Sequence, residues 1–345
     1  MKKITLAQIK KMPKVELHRH VDGAVDPGLV WHLAKEDGLE LPQPTSSALS
    51  EYLRIRRGLP VKDIMAKFDV VVSVMQSWKN ISCVFYNQII QLARENIVYA
   101  ELRFAPGFHT EKGLTLEQVI RAALQGMRQG MKECRLNPNL PEVEAKLILC
   151  IARDLSAWQG RQVAQKGVFF QDAGVVAIDL ACNEDGYPPE LHFAAYRDTF
   201  NSRLERTAHA GEFGAEPARN IRTALRRLRC RRLAHAREIT QHSDLLRYCA
   251  DNKIHLEICP ISNLTCGVVN KLEDLHLNKL REAGVPFSIN SDDPALFGAD
   301  LSFNWFMTAA IFGWSDQDIV ELNKKALQSA FIRQEDKDRL TRKWF

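Results

Sequence analysis

The sequence predicts an α/β protein built as a (β/α)8 barrel of the TIM type. Eight short apolar runs alternate with segments of helical periodicity, a pattern typical of a parallel sheet. Polar residues recur where these runs end, and a barrel would bring all of those ends to one mouth. A doubly wound open sheet is the alternative, but no Gly-x-Gly-x-x-Gly turn follows any run. No repeat or internal boundary is visible, so residues 1–345 are expected to form one domain.

The first predicted strand lies within Pro13–Val25 and ends on His18 and His20. Helical spacing follows over Pro27–Gly38, and the apolar run Ile64–Val74 lies beyond a segment rich in proline and serine. This long excursion before the second strand is too apolar to be a linker. We expect its helices to cap the mouth of the barrel, and additional core helices are the open alternative.

The remaining strands are short apolar runs separated by helical segments. Predicted strands two to eight are Ile97–Phe104, Lys146–Ile151, Val175–Leu180, Glu205–Ala210, Arg231–Ala236, Ile254–Cys259 and Val285–Ser291. Helical periodicity is present over Leu116–Cys134, Ile221–Leu228, Ser243–Asn252 and Leu272–Ala283. Strands four, five, six and eight end in Asp179, His209, His235 and Asp292.

Composition disfavours several classes of protein. The net charge is only +5, and no aromatic residues interleave with the arginines of Arg219–Arg232, so a solvated helix face is favoured over a nucleic-acid surface. No run approaches the roughly 18 apolar residues of a membrane helix, and residues 1–14 lack the apolar segment of a signal peptide. Eight cysteines without a Cys-x-x-Cys pair are typical of reduced thiols, so a cytoplasmic protein is expected. Oligomeric state leaves no signal in the sequence.

Histidine and aspartate at the strand ends favour a metal site. Alternate side chains of a strand share one face, so His18 and His20 point the same way, although this pair alone is equally compatible with core packing. His209 and Asp292, taken singly, suit a core histidine and a turn residue. Together at one mouth, the four supply three imidazoles and a carboxylate, a donor set suited to catalytic zinc. Iron, cobalt and manganese also accept such donors.

Three further residues are candidates for proton transfer. Glu212 lies just beyond His209 and is well placed as a proton donor, with a helix-capping acid as the alternative. His235 and Asp293 are each placed to orient an attacking hydroxide, and an ordinary core histidine is the alternative for His235. Strand four ends without the lysine that binuclear barrels use to bridge two metals, so one metal is expected.

Four motifs, spread over about residues 13–331, together resemble one known family. They are His18-Arg19-His20-Val21-Asp22-Gly23, His209-Ala210-Gly211-Glu212, Cys259-Pro260-Ile261-Ser262-Asn263 and Asn290-Ser291-Asp292-Asp293-Pro294. In this order they resemble the adenosine deaminase family of the amidohydrolase superfamily. The resemblance implies a zinc-dependent hydrolytic deamination of adenosine or 2′-deoxyadenosine, giving inosine or 2′-deoxyinosine and ammonia.

The resemblance also assigns roles to individual residues. The ligands of one Zn²⁺ would be His18, His20, His209 and Asp292. Glu212 would protonate purine N1, while His235 and Asp293 would position the hydroxide that attacks C6. Asp293 would also face purine N7. The expected partner is therefore a small purine nucleoside, with no nucleic acid and no membrane.

The predicted substrate contacts are Asp22, Phe68, Cys182 and Asp293. Asp22 matches a residue that lies near the ribose 5′-hydroxyl in nucleoside deaminases, whereas adenine-specific relatives usually carry Glu there. Cys182 and Asn183 replace the usual Gly and Asp, and glycine is favoured where a ligand approaches backbone closely. Ala234-His235-Ala236 likewise replaces Gly-His-Gly. Adenine, N6-methyl-AMP and an aminofutalosine-type nucleoside therefore stay open as substrates, and a nucleoside-binding relative without turnover is less favoured because Glu212 is present.

Overall fold

The computed structural model describes residues 4–345 and shows an α/β fold with parallel strands, which confirms the predicted class. The strands are β1 Lys14–His20, β2 Ile97–Phe104, β3 Glu144–Ala152, β4 Val175–Ala181, β5 Glu205–Arg206, β6 His209–Ala210, β7 Arg232–His235, β8 His255–Ile258 and β9 Phe287–Ile289. One sheet has the order β1-β2-β3-β4-β5, and a second has the order β6-β7-β8-β9. Strands that follow one another in the chain are thus neighbours in space.

Helices separate most of the strands. They are α1 Leu6–Lys11, α2 Pro27–Glu36, α3 Ser46–Leu53, α4 Val61–Ser73, α5 Trp78–Arg94, α6 Leu116–Leu136, α7 Ala157–Phe170, α8 Phe193–Arg197, α9 Pro217–Arg226, α10 Ser243–Asp251, α11 Pro260–Thr265, α12 Leu277–Glu282, α13 Pro294–Phe297, α14 Leu301–Phe312, α15 Asp316–Gln328 and α16 Gln334–Trp344. Short 3₁₀ helices cover Pro106–His109, Pro189–His192, Ile239–Gln241 and Leu272–Leu275. Across residues 4–345, no helix is both long enough and apolar enough to cross a bilayer.

The predicted fifth strand is wrong as a single element, because the structure divides it into β5 and β6. Thr207 and Ala208 lie between the halves and connect the two sheets. The Thr207 amide donates to the Ile178 carbonyl at 3.0 Å, while its carbonyl accepts from the Tyr196 hydroxyl at 2.6 Å. The Thr207 carbonyl thus accepts a hydrogen bond from a side chain instead of from a neighbouring strand, and the strand pairing breaks at this residue.

The first and last strands are joined at their carboxyl ends. Arg19 and Asp292 form an isolated parallel bridge, in which the Asp292 amide donates to the His18 carbonyl at 3.1 Å. The His20 amide donates to the Asp292 carbonyl at 2.9 Å. The strand order therefore runs from β1 to β9 and returns to β1, as a (β/α)8 arrangement requires. An unbroken hydrogen-bonded barrel stays a prediction.

The helices between β1 and β2 have two different positions. The amide of Ile55, just after α3, donates to the Leu296 carbonyl at 2.8 Å, and the Arg57 guanidinium donates to the Asn270 carbonyl at 3.0 Å. Both acceptors lie beyond the carboxyl ends of late strands, so α3 and the chain after it cover the mouth, as predicted. By contrast, α5 packs along α6 in the outer layer, which matches the alternative of additional core helices.

β2 shows how the sheet divides an apolar core from a charged interior. Its eight residues are all buried. Leu102 and Phe104 belong to the main apolar core, where the Phe104 ring lies 5.0 Å from that of Phe85 on α5. Glu101 and Arg103 alternate with them and therefore face the opposite side of the sheet. Arg103 contacts Asp179 and Glu257 on that charged side, at 2.8 Å and 2.6 Å.

One predicted helix is also wrong as a continuous element. Leu272–Ala283 divides into the 3₁₀ helix and α12, separated by His276 with a left-handed φ of 49°. Leu275 and Leu277 on either side are both buried, so the break turns two neighbouring apolar side chains into the core. A continuous helix would place these residues about 200° apart, on nearly opposite faces.

Gly126→Ala is expected to destabilise the protein by about 1–2 kcal/mol. A Cβ on Gly126 would lie 2.1 Å from the backbone oxygen of Ser82, so α5 and α6 would have to move apart. Overpacking costs roughly 1–3 kcal/mol, and a contact of 2.1 Å with backbone belongs to the upper part of that range, about 2–3 kcal/mol. This cost outweighs the gain of about 1 kcal/mol in helix propensity. Urea unfolding measures the effect. The matched control is Gln129→Ala, exposed on the same helix, with an expected change below about 0.5 kcal/mol; equal losses would contradict the packing explanation.

Candidate metal and catalytic site

Four buried side chains form a group able to hold a metal ion. His18 of β1, His209 of β6, His235 of β7 and Asp292 after β9 each offer one ligand atom, and these atoms lie within 4.8 Å of one another. Imidazole nitrogens and a carboxylate oxygen are typical donors of catalytic zinc. The group forms because the carboxyl ends of the parallel strands meet at one side of the sheets.

His20 belongs to the same cluster. Its Nε2 lies 3.2 Å from Nε2 of His209 and 3.6 Å from Oδ1 of Asp292. Nε2 of His235 lies 4.0 Å from Oδ2 of Asp292 and 3.6 Å from Oε2 of Glu212. The structure therefore brings all four predicted ligands together and adds His235 at their edge. His20 has the shorter contacts with the other donors, whereas His235 is the closer of the two to the carboxylate of Glu212.

Two of the imidazoles are oriented by buried carboxylates. Nδ1 of His18 lies 2.9 Å from Oε2 of Glu257, and Nδ1 of His209 lies 3.0 Å from Oδ2 of Asp179. A carboxylate at Nδ1 keeps the ring proton there and leaves the Nε2 lone pair free. Nε2 of His18 lies 3.0 Å from Oδ1 of Asp292 without forming a hydrogen bond. Two acceptors that face each other in a buried site are the arrangement that a cation satisfies, so these residues fit a metal.

His20 and His209 are held in their neutral form. Burial lowers the pKa of His209 to about 4, and the neighbouring Asp179 only partly opposes this effect. Burial, followed by the nearby His18, lowers the pKa of His20 well below its usual value. Neutral imidazoles keep the lone pair that a metal needs, so both side chains are competent donors at neutral pH.

The carboxyl groups of the site titrate in opposite directions. Burial alone would raise the pKa of Asp292, but His18 and then His235 hold it well below the usual range. Burial and the charge of Asp292 raise the pKa of Glu212 well above its usual value. Burial and Asp292 have the same effect on the pKa of Asp293. The site thus contains one ionised carboxylate beside two carboxyls that favour the protonated form.

Glu184 fixes the turn that carries Glu212, and the sequence analysis did not assign it a role. Its carboxylate accepts hydrogen bonds from the amides of Gly211 and Glu212 at 2.9 Å and from that of Phe213 at 3.0 Å. The Asn220 side chain donates a fourth at 2.9 Å. The available signal was an acidic residue just beyond the end of the fourth strand.

Glu257 is the second residue that the sequence analysis missed. Its Oε2 accepts from Arg103 at 2.6 Å as well as contacting His18, and Arg103 also donates to Asp179 at 2.8 Å. One guanidinium therefore links the two carboxylates that orient the histidines. The signal in the sequence was the alternation of His255 and Glu257 in an otherwise apolar strand, which places both on the interior face.

Three strand ends carry non-glycine residues with left-handed backbone. The φ angles are 73° at Cys182, 62° at His235 and 62° at Asp292. Residues other than glycine, asparagine and aspartate rarely adopt this backbone conformation because it is strained, and such strained residues are concentrated at functional sites. The departure noted at Cys182 is thus a substitution at a position whose backbone suits glycine, beside the buried Ala105, Cys150 and Ala181.

The remaining predicted substrate contacts are Asp293, Asp22 and Phe68, and each has different surroundings. A Cβ on Gly23 would overlap Oδ1 of Asp293 at 1.8 Å, so the turn after β1 packs directly against that carboxyl. Burial raises the pKa of Asp22 to about 7, and its Oδ1 has no hydrogen-bond partner among residues 4–345. Phe68 lies on α4, half-buried against the main core, and its contact with a substrate stays a prediction.

A parallel α/β fold with a buried His/Asp cluster at the carboxyl ends of its strands is the arrangement of a metal-dependent hydrolase. Within that class the family can be named. The family model described as adenosine deaminase matches residues 13–344, and the chain therefore belongs to the adenosine deaminase family.

Relatives with different names share nearly the whole chain. The adenosine deaminase of Enterococcus faecalis is 28% identical over 337 residues, covering 98% of this chain and 97% of that protein. The adenine deaminase of Schizosaccharomyces pombe is 29% identical over 341 residues, covering 96% and 90%. The crystal structure of an adenine deaminase from Arthrobacter aurescens superposes with a TM-score of 0.85 at 26% identity, covering 96% and 97%. Hydrolytic deamination is common to these names, while the aminopurine differs.

Asp179→Asn is expected to weaken metal binding by roughly 10–100-fold. The amide is neutral, so it supports the Nδ1 proton of His209 less well and makes Nε2 a poorer donor. Competition with a chelating dye measures the affinity. The matched control is Asp185→Asn, an exposed carboxylate beyond the same strand, which should bind metal as the unmodified protein does. Native metal affinity in a correctly folded Asp179→Asn variant would contradict the orienting role.

Proposed function

We propose that this chain deaminates adenosine and 2′-deoxyadenosine hydrolytically, giving inosine or 2′-deoxyinosine and ammonia, with residues 1–345 acting as one hydrolase domain. The observation that carries the proposal is the meeting of a metal-competent His/Asp group with the Glu212 carboxyl, 3.6 Å from Nε2 of His235. Burial keeps that carboxyl protonated beside an ionised Asp292. Deamination at purine C6 needs such a pair of functions, a proton donor and an activated water.

His18, His20, His209 and Asp292 are proposed to hold one zinc ion. Their donor atoms are imidazole nitrogens, held neutral in His20 and His209, and an ionised carboxylate, as zinc requires. A bound divalent cation would lower the pKa of a water molecule towards ~7. The same donors suit iron, cobalt and manganese, so metal analysis is part of the test.

Glu212 and His235 are proposed to move protons on opposite sides of the reaction. The protonated Glu212 carboxyl can donate to the ring nitrogen N1, which makes C6 more electrophilic. Nδ1 of His235 lies 2.8 Å from Oδ1 of Asn263, an oxygen that only accepts. Nδ1 therefore carries the ring proton, and Nε2 is free to accept one from water at the cluster. Asp293, packed on Gly23, is proposed to face purine N7 as a protonated donor.

Charge favours a nucleoside over a nucleotide. Asp22, Glu212 and Asp293 interact electrostatically in one buried region beside the ionised Asp292. Asp292 would repel a phosphate placed there, and any further carboxyl that ionised would add to the repulsion. The unpartnered Oδ1 of Asp22 offers an acceptor or donor for a sugar hydroxyl instead. Free adenine is the second candidate. Cys182 has a left-handed backbone that suits glycine, and its side chain leaves less room for the substrate than glycine would.

A substrate panel on metal-analysed protein tests the proposal. We expect kcat/KM to be higher for adenosine and 2′-deoxyadenosine than for adenine, N6-methyl-AMP and aminofutalosine. The rate is measured from the ultraviolet change that accompanies loss of the 6-amino group. Glu212→Gln, which keeps the shape of the side chain, should lower turnover by roughly 10²–10⁴-fold. If adenine has the highest kcat/KM, the substrate is the free base and not the nucleoside. No conversion by zinc-loaded protein, or a rate equal to that of the Glu212→Gln variant, would leave only ligand binding.

His20→Ala and His235→Ala are expected to impair different properties, the first metal binding and the second turnover. Loss of His20 should lower the metal content, because its Nε2 contacts both His209 and Asp292. Loss of His235 should leave the metal bound and lower turnover by roughly 10²–10⁴-fold, because its Nε2 lies nearer to Glu212. Metal analysis by mass spectrometry beside kcat separates the cases, with the surface change His242→Ala as control. The reverse pattern would exchange the two assignments.

A further inference from the structure

A cavity of about 890 Å³ lies at the opposite end of the strands from the catalytic cluster. The first residues of five strands line it: Val175, Glu205, Arg232, His255 and Phe287. Leu322 of α15 and Lys337 of α16 contribute to another side of its wall. The volume lies in the range of small-molecule sites, about 300–1,000 Å³. Deamination at the carboxyl ends makes no use of this cavity.

Basic side chains dominate the lining of this cavity. Nine lysine and arginine residues face three carboxylates, a net charge of +6, whereas the whole chain has a net charge of only +5. The basic residues are Lys146, Arg203, Arg231, Arg232, Lys253, Arg281, Lys325, Arg333 and Lys337. The rest of the chain is thus close to neutral, and its basic surplus is concentrated in one concave place.

Part of this charge lacks a protein partner. Arg232 pairs with Glu101 at 2.6 Å and with Glu257 at 2.7 Å, and Arg281 and Lys325 each have a carboxylate at 2.6 Å outside the lining. Four others have no carboxylate within 4.0 Å among residues 4–345, namely Lys146, Lys253, Arg333 and Lys337. Unpaired cations gathered in a concavity focus the potential that attracts an anion.

Two buried or half-buried groups of the lining would gain from a ligand. Lys337 is half-buried and donates only to the Gln328 carbonyl at 2.8 Å, and burial lowers its pKa. His255 is 1% exposed, and its Nδ1 has no hydrogen-bond partner within residues 4–345, although its Nε2 contacts Ser288 at 2.9 Å. Buried polar atoms without partners are rare and costly, so a polar ligand is favoured here.

The cavity wall is also partly apolar. Phe331 lies under the Arg232 guanidinium at 3.7 Å, and Val285, Pro286 and Phe287 line the cavity beside them. Guanidinium and ammonium groups suit phosphate oxygens, and the apolar side chains suit an organic body. We propose that this cavity binds a small phosphate ester, with its phosphate among the unpaired lysine and arginine side chains and its apolar part against Phe331 and Pro286.

Phenyl phosphate is the probe that combines both features. Isothermal titration calorimetry at fixed ionic strength should show saturable binding of one molecule per chain. Phenol and inorganic phosphate, which each carry one feature, should bind more weakly. The double variant Lys253→Gln/Arg333→Gln removes two exposed, unpaired charges from the lining and should weaken phenyl phosphate at least tenfold.

The control is Lys112→Gln, an exposed lysine in the loop after β2, at the opposite end of the strands. It should bind the probe as the unmodified protein does. All variants should keep the same unfolding midpoint and the same rate with adenosine, because no altered residue lies in the catalytic cluster. The proposal is overturned by the absence of saturable binding, or by equal affinity in the double variant and the Lys112→Gln control, which would place the probe elsewhere.

Discussion

Arg103 lies fully buried between Asp179 and Glu257, at 2.8 Å and 2.6 Å, and the candidate metal site depends on this contact. Each carboxylate also holds Nδ1 of a histidine whose Nε2 faces the cluster. Arg103 offsets part of the charge of both carboxylates, and Arg232 pairs with Glu257 as well at 2.7 Å. The two carboxylates meanwhile orient one histidine each, from β1 and β6. Removing one partner of a buried pair typically costs 3–5 kcal/mol, because the other charge stays buried. Fold stability and ligand orientation therefore rest on the same interactions.

The parts of the site that sequence reasoning found are those whose chemistry is visible in single residues. His18 and His20 alternate on a strand, and a barrel brings His209 and Asp292 to the same mouth; β2 even has the predicted bounds, Ile97–Phe104. Glu184 and Glu257 were not found, because they act by holding other groups and resemble ordinary acidic residues in the sequence. The break in the fifth strand was equally invisible, since it coincides with a hydrogen bond from Tyr196, a residue outside that strand.

Backbone strain explains why particular strand ends carry the functional groups. His235 and Asp292 both have a φ of 62°, and such positions cost of order 1–3 kcal/mol unless the surroundings hold them. For Asp292 the holding contacts are two backbone hydrogen bonds with β1, and for His235 one is the contact with Asn263. Ala236, where relatives were expected to have glycine, has a φ of 44°. The departure at Ala236 therefore places a side chain on a residue with left-handed backbone, where glycine is favoured.

Whether each carboxyl group of the site is protonated depends on its neighbours and not on whether it belongs to Asp or Glu. His18 and then His235 hold the pKa of Asp292 well below its usual range, so its ionised form is favoured despite burial. Glu212 is buried nearby, with Asp292 and Glu184 as its strongest charged neighbours, so the protonated form is favoured. Separation of pKa values in this way lets one site contain both an acid and an ionised ligand at neutral pH. It also supports the proposed nucleoside, since a substrate phosphate would add negative charge beside the ionised Asp292. The basic cavity at the other end of the strands has the opposite electrostatic character, so we expect the two ends to bind ligands of different chemical classes.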